Sequence, residues 1–341
     1  MMIRPLDTTD EAAWEDFIEA HPEATLFHRN GWRRVIERAY GYPSHYLMAW
    51  DGEQLRGILP LIEVKTALFG HALISTGFFV YGGILATDQQ ALHALAAAAG
   101  ELAERLGVDY LELRSRQPAL ADWPTKASLY AGFRRALSPV EADNLRRVPR
   151  KKRADIRKSL GNGTAYLAEI EPEAFYRTYA ISLRDLGTPV FPPRFVQAVV
   201  DEFADIVDFS AVSADGRHVA VLLSFFFKDE VLPYYGGAVP AARGLHAYDR
   251  LYWELMCRSV DRGVKHFDFG RSKAGTGAFD YKCYWGFEPE PLNYQYHLVK
   301  QRHLPDVNPN NPKYRLFVDA WRHLPLPMAN RLGPLIARQL G

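Results

Sequence analysis

The chain has 341 residues, 48% hydrophobic and 24% charged, enough apolar mass for two full cores. Lys plus Arg total 41 against 40 Asp plus Glu, a net charge of +1, which argues against a wholesale nucleic-acid binder and makes any basic function local. The two cysteines, Cys257 and Cys283, form neither a disulfide framework nor a metal-ligand spacing.

The first residues, "MMIRPLDTTDEAAWEDF", lack the apolar core of a signal peptide. The longest apolar runs, such as Val219–Phe227, are too short to span a membrane and read as strands. A cytoplasmic location with reduced thiols is expected. "LFHRNGWRRVIERAYGY" predicts a helix from Trp32, bounded by Asn30-Gly31. Packing accounts for Trp32, with substrate contact by Arg29 and Trp32 as the alternative.

Next comes "HYLMAWDGEQLRGILPLI", then "FVYGGILA", a helix, and "RLGVDYLELRS". The same order returns later as "DFSAVSADGRHVAVLLSFFF", "LPYYGGAV", a helix, and "DRGVKHFDFGRS". Asp51-Gly52 and Asp215-Gly216 between apolar runs predict hairpins. Tyr81 and Tyr235, each opening a Tyr-Gly-Gly, are 154 positions apart, and Gly107 and Gly263 are 156 apart. A nearly constant offset marks an internal duplication. Leu92, Leu95, Ala99, Leu102 and Leu106 recur at helical spacing, as do Tyr248, Leu251, Tyr252 and Leu255. Gly107 and Gly263 are expected C-terminal caps. Each unit reads as a hairpin, further strands, a helix and a final strand, which is a mixed α/β (α+β) architecture. No dinucleotide or Walker-type glycine motif is present.

Between the halves, "RRVPRKKRADIRK" (Arg146–Lys158) carries eight cations and one acid, Asp155. Pro149 predicts a helix opening at Arg150, with Lys151, Asp155 and Lys158 near one face and Arg150, Arg153 and Arg157 on another. Phosphate binding by this helix is the preferred reading, ahead of a solvated connection and of contact with an anionic membrane. "LGTPVFPPRF" (Leu186–Phe195), with Thr188 and Arg194, reads as a rigid link between helices, with an acceptor-site lining as the alternative.

"FDFGRSKAGTGAFDYKCYWG" opens as a strand and continues into a loop where Gly270, Gly275 and Gly277 are interleaved with Arg271 and Lys273. Such a loop suits close backbone approach to an anionic or carbonyl-bearing ligand. Lys282 follows amid aromatics that lower the local dielectric, where a cation is strengthened toward a developing oxyanion. A lysine snorkelling from a strand is the plainer alternative. Asp268 alternates with Phe267 and Phe269, and its counterpart in the first copy is Glu112. It is read as orienting or deprotonating an amine, or equally as pairing with Arg271 or a helix cap. Arg271 and Lys273 suit phosphate or carboxylate contact, with a solvated loop as their alternative. After Lys300, Pro-rich breaks separate two short amphipathic helices. Tyr314, Phe317, Val318, Trp321 and Leu324 form one stripe, with Arg315, Arg322, Arg331 and Arg338 around it. Packing on a domain is the common explanation, and lying on the inner membrane surface is the other.

These motifs resemble a known family. The duplication, the Tyr-Gly-Gly strand and "FDFGRSKAGTGAFDYKCYWG" look like the Fem-type aminoacyl and acyl transferases, which are tandem GNAT folds. A closer likeness is to the FemAB-like proteins associated with exosortase/PEP-CTERM polysaccharide systems, which "VPRKKRADIRKSL" and "LRDLGTPVFPPRF" also resemble. The likeness covers roughly residues 20–300 and is more specific in the second half. It implies two splayed parallel strands that admit an acyl donor, direct transfer to an amine, and a role for Lys282 in that step. It also implies a place in cell-envelope or exopolysaccharide biosynthesis.

The long coiled-coil insertion of some tRNA-dependent members is missing, so acyl-CoA and aminoacyl-tRNA both stand as donor substrates, with no permanently bound cofactor or metal expected. For acyl-CoA, Arg243 and Gly244 mark a degenerate form of the family's pyrophosphate loop. His246 beside them is a minority candidate for a base. The units are expected at 1–140 and 166–300, with a basic connector at 141–165 and a tail at 301–341. The transfer site in the second unit comprises Lys282 and Asp268. The phosphate or substrate contacts are Arg271, Lys273, Arg243, Gly244, Arg150, Lys151, Arg153, Arg157 and Tyr235. Expected partners are a phosphate-bearing or lipid-linked substrate, a tRNA, and the membrane through the tail. A non-catalytic adaptor of polysaccharide machinery is the rival from another class.

Overall fold

The structure is a computed structural model. It describes residues 1–67, 70–305 and 312–340, apart from the side chains of residues 128, 312–316 and 340. The chain divides into two compact units: Met1–Leu129 with Pro291–Asn308 and Ala337–Gly341, and Tyr130–Glu290 with Pro309–Ile336. The expected linear boundaries at 140, 166 and 300 differ from this division. Residues 291–308 return to the first unit, the basic segment belongs to the second, and the tail is shared.

The first unit begins with β1 (Met2–Pro5), α1 (Glu11–Ala20), α2 (Gly31–Tyr40), β2 (Leu47–Asp51) and β3 (Gln54–Leu59). It continues through β4 (Leu61–Thr66), β5 (Gly70–Ser75), β6 (Leu85–Ala86), α3 (Gln89–Leu106) and β7 (Tyr110–Leu113). One sheet has the order β1-β2-β3-β6, and in another β4 pairs antiparallel with β5, which runs parallel to β7. The hairpin expected at Asp51-Gly52 joins β2 to β3. Asp88 caps α3 through the Ala91 N–H, and Gly107 ends it in the left-handed conformation, as the helix signals require. Leu95, Ala99 and Ala103 on α3 are fully buried. One expectation fails here. Tyr81-Gly82-Gly83 is not a strand but an irregular loop with Tyr81 at φ 57°.

The boundary between the units falls within β8 (Thr125–Gly132). The second unit then adds β9 (Arg134–Ala136), α4 (Glu141–Arg147), α5 (Arg150–Leu160), β10 (Ala165–Leu167), α6 (Pro172–Leu186) and α7 (Pro193–Phe203). β11 (Val207–Ala214), β12 (Arg217–Phe227), β13 (Glu230–Ala238), α8 (Ala247–Asp261) and β14 (His266–Asp268) follow. They are succeeded by β15 (Ser272–Lys273) and α9 (Gly277–Tyr284). Last come β16 (Glu290–Leu298), which pairs with β7 in the first unit, then α10 (Pro312–Arg322) and α11 (Leu326–Ala337).

The sheet of the second unit has the order β10-β11-β12-β13-β14-β9. β12 is a nearly unbroken apolar run because both of its faces are covered, by α6 on one side and α8 on the other. Asp215-Gly216 turns β11 into β12 with both residues at positive φ, the conformation of a two-residue hairpin. Leu186–Phe195 is the packed link between α6 and α7. Tyr176 donates to the Phe191 carbonyl at 2.8 Å, and Phe191 lies against Phe195 and Tyr179. α10 packs on α6 with Trp321 buried, while the side chain of Tyr314 lies outside the described residues.

Gly237 of β13 lies so close to α6 that a Cβ there would stand 2.9 Å from the Tyr179 Cα. Gly237→Ala is therefore expected to cost about 1–3 kcal/mol by overpacking, read from the urea midpoint at unchanged m-value.

Candidate active site

The candidate site lies in the second unit, where β13 and β14 part. They pair in parallel over only two positions, Glu230↔His266 and Val231↔Phe267. β13 runs on to Ala238, while the other chain leaves the sheet after Asp268. The β12 register steps from Leu223↔Tyr235 to Ser224↔Pro233, which leaves Tyr234 as an extra residue that bends β13 at this level. The strand edge beyond Val231 thus opens a gap beside the end of β14. A gap between parallel strands at their carboxyl ends is where ligands enter many α/β folds.

A buried aromatic cluster packs beside the end of β14. Phe269 stands 4.9 Å from Tyr252, 6.0 Å from Trp285 and 4.7 Å from Phe287 between ring centroids. Gly236 leaves room for Tyr252, whose hydroxyl oxygen would be 3.2 Å from a Cβ there. Tyr235, expected among the substrate contacts, is on the other face of β13, packed against Phe191, Phe195 and Tyr179. Alternation along the strand sends neighbours to opposite sides, so Tyr235 belongs to the α6–α7 aromatic cluster.

Lys282 sits on a helix rather than a strand. Thr276 caps α9 by accepting from the Phe279 N–H, and its own hydroxyl donates to the Lys273 carbonyl at 2.7 Å. The Lys282 side chain reaches back from α9 to donate to the carbonyls of Gly270 at 3.0 Å and Arg271 at 3.1 Å. Gly270 has φ 69°, a left-handed turn that residues with a Cβ resist. That turn presents the two carbonyls to the ammonium. The Nζ also stands 5.3 Å from the Phe133 ring centroid. Burial pulls the Lys282 ammonium down to about pKa 8, with Arg271 adding to the fall and Asp268 opposing it. Two of its three protons are held by the carbonyls, which leaves one to donate.

Asp268 is buried, and its Oδ1 accepts the Gly270 N–H at 2.7 Å. It holds the turn that Lys282 reads and shares its electrostatic neighbourhood. Arg271 lies with its guanidinium 4.3 Å from the Tyr130 ring centroid. Lys273 is on β15, opposite Tyr130 of β8. The counterpart of Asp268 in the first unit, Glu112, is locked against Arg114 at 2.6 Å, and that arginine also donates to the Phe79 carbonyl.

A second cluster ties the basic helix to α9. Lys152 Nζ lies 2.8 Å from Asp249 Oδ1, and the Tyr281 hydroxyl donates to the same oxygen at 2.8 Å. Lys152 also stands 4.8 Å from the Tyr281 ring centroid. His246 Nδ1 is 3.6 Å from Asp249 and 3.8 Å from Asp155. Asp155, His246 and Asp249 are near enough for a shared cation, but Lys152 already supplies one. Burial and the Asp249 charge raise the Tyr281 phenol well above its ordinary range, so it acts as a hydrogen-bond donor. Sequence reasoning missed Lys152, Asp249 and Tyr281. A signal existed, because Lys152, Ile156 and Ser159 fall on one helical face and the latter two are buried.

The other cations of α5 point outward. Arg150, Lys151, Arg157 and Lys158 are exposed and Arg153 is half-buried. Among the described residues no carboxylate neutralises them. Arg243 and Gly244 are exposed before α8, and His246 begins that helix at φ 49°. Asp249 in its first turn is buried and paired with Lys152. Cys257 is pushed up to about pKa 12 by burial, with Glu141 adding, and burial also raises Cys283. Neither thiol is a ready nucleophile.

Residues 144–283 match the family described as Acetyltransferase (GNAT) domain. The solved structure of FemX is similar over 93% of this chain and all of its own, with TM-score 0.67 and 12% identity. The chain has a tandem GNAT fold. A tandem GNAT protein from the clavulanic acid biosynthesis pathway is similar over 89% of this chain and 99% of its own (TM-score 0.56, 15% identity). The C-terminal domain of a putative lysylphosphatidylglycerol synthetase from Agrobacterium fabrum is similar over 84% and 91% (TM-score 0.54, 12% identity). A sequence search of curated proteins found no match. Among the described residues, no helix is long and apolar enough to cross a membrane.

Proposed function

We propose that this tandem GNAT protein is an N-acyltransferase whose second unit moves an acyl or aminoacyl group directly to an amine. The observation that carries this reading is the half-buried Lys282 ammonium, held on the Gly270 and Arg271 carbonyls just past the end of β14, the strand that parts from β13. A donor carbonyl placed in that gap meets a cation in an apolar setting, where it stabilises developing negative charge most strongly. With its pKa near 8, Lys282 is also an acid of suitable strength to protonate a departing oxygen or sulfur near neutral pH. The acceptor nitrogen attacks the carbonyl carbon, the donor's C–O or C–S bond breaks, the leaving group takes a proton from Lys282, and the proton shed by the acceptor nitrogen restores the ammonium. The raised thiols favour direct transfer over a cysteinyl intermediate.

The unneutralised cations of α5 support a phosphate-rich substrate. The single glycine at the start of α8 favours aminoacyl-tRNA over acyl-CoA as donor. The acceptor in this reading is an amine on a precursor of envelope or exopolysaccharide. Transfer of labelled acyl groups from acetyl-CoA and from charged tRNA tests it. Turnover with either donor supports the transferase, and turnover with neither, in the presence of amine acceptors, sinks it.

Neutralising α5 with Arg150→Gln, Lys151→Gln, Arg153→Gln and Arg157→Gln is expected to raise the KM for the phosphate-bearing substrate roughly 10- to 100-fold. It should flatten the slope of log affinity against log salt by roughly 3, four phosphate contacts at ~0.7 each on a single strand. The melting temperature should change little, since three of these side chains are exposed and only Arg153 is half-buried. An unchanged salt slope would remove α5 from the substrate site.

A further inference from the structure

We infer that α11 is a membrane-docking element that seats on an anionic phospholipid surface. The inference is independent of the transfer reading. Met328, Leu332 and Leu335 are 51%, 40% and 66% exposed. Their spacing of four and then three residues puts them on one helical face. The opposite face is spent on packing. Ala329 is 2% and Ala337 9% exposed, and a Cβ on Gly333 would stand 3.0 Å from the Val190 carbonyl oxygen. α11 therefore has a fixed orientation, with its apolar stripe turned outward.

Charge identifies what covers the stripe. From Ala320 to Leu340 the chain has Arg322, Arg331, Arg338 and His323 and no Asp or Glu. Arg331 is exposed between Met328 and Leu332, while Arg322, exposed at the end of α10, lies 3.5 Å from Asp319. Exposed leucines flanked by Arg331, on a helix that itself carries no acid, match the boundary between acyl chains and anionic headgroups. A basic partner protein would be repelled, and a purely apolar one would leave the arginines unmatched. The structure also shifts the surface from the stripe read in the sequence. Trp321 of α10 is buried in packing while Phe317 stays 38% exposed, so most of the exposed apolar surface described in the tail lies on α11.

The test is flotation of the full chain with vesicles of phosphatidylcholine alone or mixed with phosphatidylglycerol. Binding is expected only to the mixed vesicles, weakening several-fold as salt rises from about 0.1 M to about 1 M. The double variant Leu332→Glu, Leu335→Glu should lower the bound fraction on the order of tenfold, by removing apolar contact and adding repulsion. These positions are exposed, so circular dichroism should show the fold intact. Met2→Glu, which alters an exposed apolar residue of the first unit (56% exposed), should change nothing. The inference is overturned if the wild type ignores the mixed vesicles or binds both kinds equally. It is also overturned if the double variant binds as well as wild type while neutralised α5 does not. A concentration-dependent dimer abolished by the double variant, without vesicle binding, would assign the face to self-association and overturn it as well.

Discussion

Replacing Lys282 with methionine is expected to lower the transfer rate by roughly 10²- to 10³-fold, the usual loss when one preorganised oxyanion donor is removed, with much less effect on stability. Two opposing terms keep the stability change small. Holding a lysine near pKa 8 rather than its ordinary 10.5 costs the folded state roughly 3 kcal/mol, and methionine relieves that. Losing the hydrogen bonds to the Gly270 and Arg271 carbonyls costs about 1–3 kcal/mol. The expected net shift is within about 2 kcal/mol, read by denaturant titration beside steady-state kinetics. A variant that loses activity only in proportion to its unfolded fraction would reduce Lys282 to a structural residue.

The same residue sets a pH signature. If the ammonium is the working form, kcat falls above about pH 8, where the buried lysine loses its proton. Lys282→Arg should abolish that falling limb while retaining part of the rate. A limb that rises through pH 8 would instead assign the neutral amine as a base. Stability moves the other way. The folded pKa is below the unfolded one, so between about 8 and 10.5 the unfolded chain holds more protons and the native state gains stability as pH rises.

Asp249→Ala is expected to have the largest effect on folding, about 3–5 kcal/mol. Asp249 and Lys152 are only 7% and 12% exposed at their side chains. The substitution leaves the Lys152 ammonium with only Asp155 at 3.9 Å and takes the acceptor from the Tyr281 hydroxyl. A buried charge without a close partner keeps its desolvation cost and loses the attraction that offsets it. The double variant Lys152→Met, Asp249→Leu should recover most of the loss, since a buried pair can be exchanged for apolar side chains of similar size. Urea titrations of the single and double variants measure both. If Asp249→Ala costs less than about 1 kcal/mol, the pair is solvated in solution. Because Tyr281 neighbours Lys282, Asp249→Asn should also lower activity.

Much of the fold was legible because its signals are local. Asp51-Gly52 and Asp215-Gly216 specify tight turns through the backbone conformations they tolerate. Gly107 and Gly263 lie where the helices end, and Pro149 starts α5 where a missing N–H is harmless. The duplication needed only two offsets along the chain. Tyr-Gly-Gly misled in the first copy because the same three residues suit a loop or a strand edge, and their surroundings decide. Lys282 was found by composition, but its helix was not, since α9 is only eight residues long and is built around a cap rather than an apolar stripe.

By itself, the sequence determined the two-unit mixed α/β plan, the hairpins and helix ends, the basic segment and the glycine–lysine stretch. Each depends on residues a few positions apart. Only the tertiary structure decided that Lys282 turns back onto two carbonyls, that Lys152 points inward while its neighbours point out, and that Tyr235 faces away from the gap. It also decided that β16 returns to the first unit and that α11 presents exposed apolar residues while Trp321 of α10 is buried. Those outcomes depend on what each side chain meets across the fold, where desolvation and charge pairing between distant segments outweigh local preference.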